Sequence, residues 1–171
     1  MSSATYQGDL LPTRGLTGLA LADAHCQLLA DQAARGSEVI ESGATFRAWL
    51  SDATGSPATR FDTTYTGHYQ LVEGTPIASD GWLGLTSGAL INPIGLTETG
   101  EQVGEDRVWT NTLASGEAAS DLSCMNWSSN LERDSSRYGR ASLVDAKWTD
   151  VNQVPCDAAH HLYCVQDGPA R

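Results

Sequence analysis

Four side chains in this sequence carry the most readable chemistry: Cys26, Cys124, Cys156 and Cys164, separated by 98, 32 and 8 residues. Zinc sites use Cys-x-x-Cys pairs or closely set Cys and His ligands, and these gaps do not supply them. The cysteines therefore read as disulfides. Three pairings are possible, and strand order favours the nested one, Cys26 with Cys164 and Cys124 with Cys156, in which the last strand returns beside the first helix. In the chain-entropy picture the long loop contributes about 5 kcal/mol and the short one about 3.5 kcal/mol. The next group is acidic: the stretch from Gly95 to Asp106 holds three glycines and four acids. Glu98, Glu101 and Asp106 offer oxygens for a hard cation such as calcium, which needs six to eight of them, although a charge run is most simply a solvated loop. His160 and His161 are neighbours on a strand and point to opposite faces, so they do not share a metal. Trp49, Trp109, Trp127 and Trp148 sit inside strand patterns and read as core. Trp82 lies in a glycine-rich stretch and is the candidate for an exposed stacking surface.

Catalytic signatures are missing. The sequence has no G-x-S-x-G, no H-E-x-x-H, no phosphate-cradling glycine loop and no cysteine left over for nucleophilic work. The expectation is a protein that is not an enzyme. A glycan-processing activity is the alternative from another class, because the spacing of two carboxylates is set only in the fold.

The elements that position these groups run along the chain as follows. Met1 to Thr17 is an irregular lead-in. Leu19, Ala22, Cys26, Leu29, Ala30 and Ala33 recur at helical intervals, with Gly36 as the stop. Thr45 to Ser51 reads as a central strand, Asp62 to Val72 as a weaker extended segment, and Ile77 to Leu90 as a short helix or loop in which Trp82, Leu83 and Leu85 pack over the core. Arg107 to Thr112 is a strand candidate, Leu113 to Asp121 a turn, Cys124 to Ser128 a short strand and Ser129 to Ser142 a polar loop. Lys147 to Val151 and His161 to Gln166 close the chain as two strands. No repeat or low-complexity linker is present.

The totals bound the function. A chain of 171 residues, 40% hydrophobic, 18% charged and with 17 glycines, makes one loop-rich α+β domain over 1–171, its core about 4–166. The net charge of −11 disfavours nucleic acid and anionic membranes; a basic protein or calcium suits it better. No apolar run is long enough for a transmembrane helix, and membrane insertion is not expected. Met1 to Thr5 lacks a signal-peptide pattern, yet four paired cysteines belong in an oxidising compartment. The expectation is that Met1 is an added start on an excised, exported mature domain.

The segment Thr45-Phe46-Arg47-Ala48-Trp49-Leu50-Ser51, then Val108-Trp109 with Gly116 after it, then Cys124-x-x-Trp127, then Cys156 and Cys164, resembles endostatin, the C-terminal fragment of a collagen. It is still more similar to the bacterial endostatin-like domains of leptospiral surface proteins, in which Ala4 to Leu10 and Gly18 to Cys26 also have counterparts. The resemblance spans about Ala4 to Val165. It implies a C-type-lectin-like fold: a twisted antiparallel sheet with one or two helices and the nested disulfides. It also implies a non-catalytic adhesion module, secreted or on a bacterial cell surface as one module of a larger surface protein, that binds an extracellular protein or glycan; loops on a rigid disulfide-tied sheet are where binding resides, so the contacts are expected between Asp52 and Asp106 and between Ser129 and Asp145. Endostatin's heparin-binding arginine surface and N-terminal histidine zinc site are not reproduced. Lys147-Trp148-Thr149-Asp150 is similar to the Trp-Asn-Asp segment of sugar-binding C-type lectins, with Thr149 in place of the asparagine. On that likeness Asp150 and Asn152 join Trp82 as ligand-binding candidates. Asp150 joins the acidic loop as a calcium candidate, and a calcium-dependent carbohydrate-binding lectin is the first alternative, with glycan processing the second.

Overall fold

The structure is a computed structural model that describes residues 1–13, 15–35, 40, 43–104 and 106–168. The helical periodicity after Thr17 becomes α1, Gly18–Ala33, whose buried residues include Leu19, Leu21, Ala22, Cys26 and Ala30. Leu29 and Ala33 are only half-buried. The expected stop at Gly36 lies outside the described residues. Two polar side chains seat α1 on β1 (Phe46–Ala48). Gln27 accepts from the Phe46 amide at 2.9 Å and Asp23 accepts from the Ala48 amide at 3.0 Å. Asp23 also holds Arg60 at 2.5 Å and Arg47 at 3.3 Å. Arg60 closes α2 (Pro57–Arg60), and its guanidinium caps the Leu50 carbonyl at 2.9 Å.

The short strands β2 (Tyr69–Gln70) and β3 (Pro76–Ala78) form a hairpin, and α3 (Gly81–Leu85) follows. β4 (Arg107–Trp109), β5 (Ser135–Arg140), β6 (Asn152–Pro155) and β7 (His161–Leu162) form a four-stranded sheet in the order β6-β5-β4-β7. β8 (Cys164–Gln166) leaves that sheet and pairs antiparallel with β1. The sheets are antiparallel except where β7 runs parallel to β4, Val108 opposite His161. A parallel pair needs a long crossover connection, which residues 110–160 supply.

Several segments differ from expectation. The strand at Thr45 to Ser51 is shorter, Phe46–Ala48, although Trp49 still donates to the Tyr163 carbonyl at 3.0 Å. Of Asp62 to Val72, only Tyr69–Gln70 is strand. The polar stretch Ser129 to Ser142 is not all loop: it contains β5, the longest strand, whose arginines are neutralised by Asp150 and Asp106 on flanking segments. Lys147 to Val151 is not a strand, because the Asp145 carboxylate accepts from the Lys147 amide at 3.0 Å and caps a 3-10 turn, Ala146–Trp148. That turn crosses β5 at Gly139, where a Cβ would lie 2.1 Å from the Trp148 carbonyl oxygen, so only glycine admits the crossing.

Both expected disulfides are present, Cys26–Cys164 and Cys124–Cys156. The core has two parts. One gathers Trp49, Phe61, Trp82, Trp148 and Tyr163, with Trp49 5.1 Å from Trp148 and 5.8 Å from Trp82. The other gathers Leu21, Leu50, Trp109, Trp127 and Leu162 around the disulfides. Buried indoles need an acceptor. Trp49 donates to Thr149 Oγ1 at 2.8 Å, Trp109 to the Tyr6 carbonyl at 2.8 Å and Trp127 to the Ser51 carbonyl at 3.0 Å. Among the described residues no helix is long and apolar enough to cross a membrane.

Candidate functional site

The structure disperses the residues singled out for ligand chemistry. Trp82 is not an exposed platform: it is 8% exposed and wedged against Trp49 and Phe61. Its neighbour Leu83 is the exposed one, at 74%, and does not pack over the core, while Leu85 does. Glu98 is held by the lead-in, accepting from the Ser3 amide at 2.7 Å and from the Ser3 hydroxyl at 2.5 Å. Glu101 is exposed in the turn that the Leu96–Gln102 bridge closes, its amide donating to the Thr97 hydroxyl at 3.1 Å. Asp106 accepts from the Ser142 hydroxyl and lies 3.9 Å from Arg140. Asp150 is paired with Arg137 at 2.5 Å. Asn152 heads β6 and its side-chain oxygen accepts from the next amide, Gln153, at 2.8 Å. These carboxylates are not brought together, and among the described residues no group of three or more His, Cys, Asp or Glu is arranged to hold a metal. His160 packs on Trp109 and Tyr138, while His161 Nδ1 is bonded to the Ser2 carbonyl at 2.8 Å, so both histidines are structural.

The feature that does stand out lies in the segment expected to be a strand. Cys124, Met125, Asn126 and Trp127 all have positive φ, 49°, 56°, 56° and 56°, and form a single left-handed turn. It is closed by the Trp127 amide donating to the Ser123 carbonyl at 2.7 Å and the Ser128 amide to the Cys124 carbonyl at 3.0 Å. In L-residues this conformation sets Cβ against the following carbonyl, at about 1–2 kcal/mol per residue, or about 4–8 kcal/mol for four. Such strain persists only where the surroundings over-determine it. Here the first residue is tied to Cys156, the last buries its indole completely, and the Ser123 hydroxyl accepts from the Asn126 amide at 3.2 Å.

Three other loops are gathered onto this turn. Gly8 passes over the disulfide so closely that a Cβ would sit 2.5 Å from Cys124 Sγ, and it donates to the Cys156 carbonyl at 2.8 Å. Leu10 and Leu11 beyond it are again left-handed, at 56° and 53°, and Asp9 accepts from Asn130 at 3.1 Å. The Asp52 to Gly55 turn is attached through the Ala53 amide, which donates to Asn126 Oδ1 at 3.2 Å. Gly18, at the head of α1, lies beneath the Asn126 carbonyl. Thus the starts of the two loop regions expected to bind, at Asp52 and at Ser129, meet here, around a segment whose composition suggests a strand.

This surface presents apolar side chains beside the exposed polar Asn126, Ser128 and Asn130. Met125 is 67% exposed at the tip, and Leu11, Leu16 and Leu131 are exposed on the segments fastened to it. The thioether is flexible and polarizable and suits an adaptable contact. No nucleophile with a neighbouring base occurs in the turn, and the Asn126 amide and side-chain oxygen and the Ser123 hydroxyl are occupied in bracing it. The one sequence signal for it is Asn126, a residue type enriched in left-handed backbone, next to a cysteine.

No protein-family model matches this chain, and no curated protein matches it.

Proposed function

We propose that the chain is a non-catalytic, exported binding module of the endostatin-like kind with a C-type-lectin-like fold, one unit of a larger surface protein, and that it engages an extracellular protein partner through the Met125 surface. The observation that carries this reading is the left-handed turn itself. A protein spends several kcal/mol of backbone strain, then braces it with a disulfide and three loops, to hold a methionine in water. Strain and exposed apolar side chains both concentrate where contacts are made. The resemblance described above, the nested disulfides and the mixed α+β architecture support the fold assignment. The two disulfides suit an oxidising compartment, and the net charge of −11 favours a basic partner.

The test is an array of extracellular matrix and serum proteins beside a glycan array, each probed with and without calcium. Calcium-independent capture of a protein, lost in Met125→Glu and kept in Leu83→Glu, is the expected result. Binding confined to glycans in the presence of calcium, or release of sugar products, would replace this reading with a lectin or a glycan-processing enzyme.

A further inference from the structure

Strand edges carry unpaired amides and carbonyls that invite further pairing, so folded proteins cover or block them. β1 is capped by α1, through Gln27 on the Phe46 amide at 2.9 Å and Asp23 on the Ala48 amide at 3.0 Å. On β6 the Gln153 amide is taken by the Asn152 side chain at 2.8 Å, and Pro155 has no N–H to offer. On β3 the Ile77 carbonyl accepts from the Ile91 amide and the Pro76 carbonyl from the Asn92 side chain, both at 2.9 Å. β7 is covered by the lead-in: Tyr6 and His160 exchange amide bonds at 2.8 and 2.9 Å, and the Ser2 amide donates to the Leu162 carbonyl at 2.8 Å.

β8 is treated differently. The Trp49 amide donates to the Tyr163 carbonyl at 3.0 Å and the Asp167 amide to the Thr45 carbonyl at 2.8 Å, which fixes the phase of the β1–β8 ladder. Residues 163, 165 and 167 therefore turn their backbone groups to β1, and Cys164 and Gln166 turn theirs the opposite way. There, among the described residues, the Cys164 and Gln166 amides and carbonyls meet no partner. This open edge borders a cleft of about 290 Å³. Cys164, Val165 and Gln166 all line it, and because successive side chains alternate faces, the cleft runs along the edge of the strand and not over one side. Residues 69–72 of the hairpin form the facing wall, and Met1, bonded to the Leu96 carbonyl at 2.7 Å, stands at the Cys164 end. The lining mixes aliphatic Leu71 and Ile77 with polar His68 and Gln70, as an extended chain of alternating side chains requires.

We propose that an extended segment of a partner protein, carrying a basic residue, adds to β8 as an antiparallel strand. The lead-in already uses this edge: it runs antiparallel along His160 and Leu162, and Cys164 and Gln166 continue the same row. A strand in that line exchanges two hydrogen bonds with Cys164 and two with Gln166. Its residue opposite Val165 shares the face on which Val165 packs against the apolar core, so that residue is apolar. A cleft of this volume admits one extended segment between β8 and the hairpin, and not the edge of another folded sheet. The surroundings set the charge. The chain carries −11, no lysine or arginine lines the cleft, Asp167 follows β8 directly, and Asp62 lies against Gly168 at that end. A basic side chain belongs there, at the N-terminal end of the added strand, since the Met1 amino group occupies the other. This edge shares no residue with the Met125 surface and does not rest on that reading.

The probe is the peptide acetyl-Lys-Thr-Val-Thr-Ser-amide, titrated against the full chain and followed by amide hydrogen exchange and NMR shifts. In the free protein the Cys164 and Gln166 amides should exchange faster than that of Asp167, and the peptide should slow both. N-methylation of both threonines should weaken binding about thirtyfold, the size of two hydrogen bonds. Moving the lysine to the C-terminal end should weaken it about threefold at low salt. Gln166→Pro removes a donor the fold does not use, so the thermal midpoint should hold while binding is lost; Gln166→Ala should bind as the parent does. Should Gln166→Pro fail to fold, the N-methylated peptide on the parent chain still decides. Slow exchange of both amides in the free protein, binding indifferent to N-methylation, binding that survives in a folded Gln166→Pro, or no saturable shift up to the solubility limit would each overturn the proposal. A dimer that excludes the peptide and that Gln166→Pro dissociates would also overturn it, by putting a second copy on this edge.

Discussion

Replacing Met125 by glycine should stabilise this protein, against the usual rule that removing a side chain does harm. Met125 sits at φ 56° and ψ 49° and is two-thirds exposed, so truncating it forfeits little burial. The left-handed conformation costs a methionine about 1–2 kcal/mol. Glycine adopts it freely but brings about 0.5–1 kcal/mol of extra entropy to the unfolded chain. The balance is a gain of about 0.5–1 kcal/mol, which for a chain of this size raises the melting midpoint by about 1–4 °C. Valine at the same site is the reverse control. A β-branched residue at positive φ is a true outlier, and Met125→Val should lose about 1–2 kcal/mol despite being apolar. Scanning calorimetry under non-reducing conditions reads both, and the expected order of stability is glycine above methionine above valine. An order with valine at or above methionine would mean that the turn is not left-handed, and the argument that it stores strain for contact would fall with it. If the order holds, Met125→Gly should also weaken partner capture, the trade of stability against function expected where activity needs a strained site.

Other outcomes can be stated briefly. Thr149→Val leaves the Trp49 indole and the Thr112 carbonyl without their buried partner and should cost about 2–4 kcal/mol in urea unfolding; a loss below about 0.5 kcal/mol would show that the hydroxyl is replaceable. Replacing Cys124 and Cys156 together by alanine should cost at most about 3.5 kcal/mol, less whatever strain the turn releases, and the shortfall measures that strain. Burial lowers the Met1 amino group from 8.0 to about 6. As pH falls the unfolded chain takes up the proton first, so stability contributed by this group is present above pH 8, is lost between 8 and 6, and is level below that. The loss amounts to about 2–3 kcal/mol. Urea midpoints at pH 8.5 and pH 6 should differ for the free amine and coincide after Nα-acetylation; equal differences in the two forms would assign the effect to other groups. Asp23→Ala strips two arginines and the Ala48 amide of their shared carboxylate and should cost about 3–5 kcal/mol.

The parts of this fold that follow from local rules were readable from residue order. α1 announces itself by its apolar spacing, and the cysteines by gaps that suit nothing but disulfides. What hid was decided by distant partners. Ser135–Arg140 looks like a loop because its side chains are polar. It is a strand because Asp150 and Asp106 come from elsewhere to neutralise Arg137 and Arg140, and because Gly139 admits a crossing backbone. Lys147 to Val151 has strand composition, yet one carboxylate at Asp145 redirects it. The left-handed turn at Cys124 to Trp127 contradicts every local preference except that of Asn126, since its strain is tolerated only once Cys156, Gly8 and Asp52 have arrived. Trp82 lies among glycines that suggested exposure, but Gly116 packs so tightly on the indole that a Cβ would sit 2.8 Å away. Gly116 makes room for the ring, while Gly81, next to Trp82 in sequence, makes room for the Tyr65 backbone.

The placement of the last strands governs when the protein can form during synthesis. β1 has β8 as its ladder partner, β4 is flanked on one side by β7, and the helix near the start is locked to Cys164. Neither half of the core closes before residues in the 160s emerge. Until then the apolar face of α1 and the edges of two strands stay open, and a nascent chain in that state is a substrate for chaperones or for translocation machinery that threads unfolded polypeptide. A domain whose first helix and first strand wait for the same late strands closes as one unit rather than in stages.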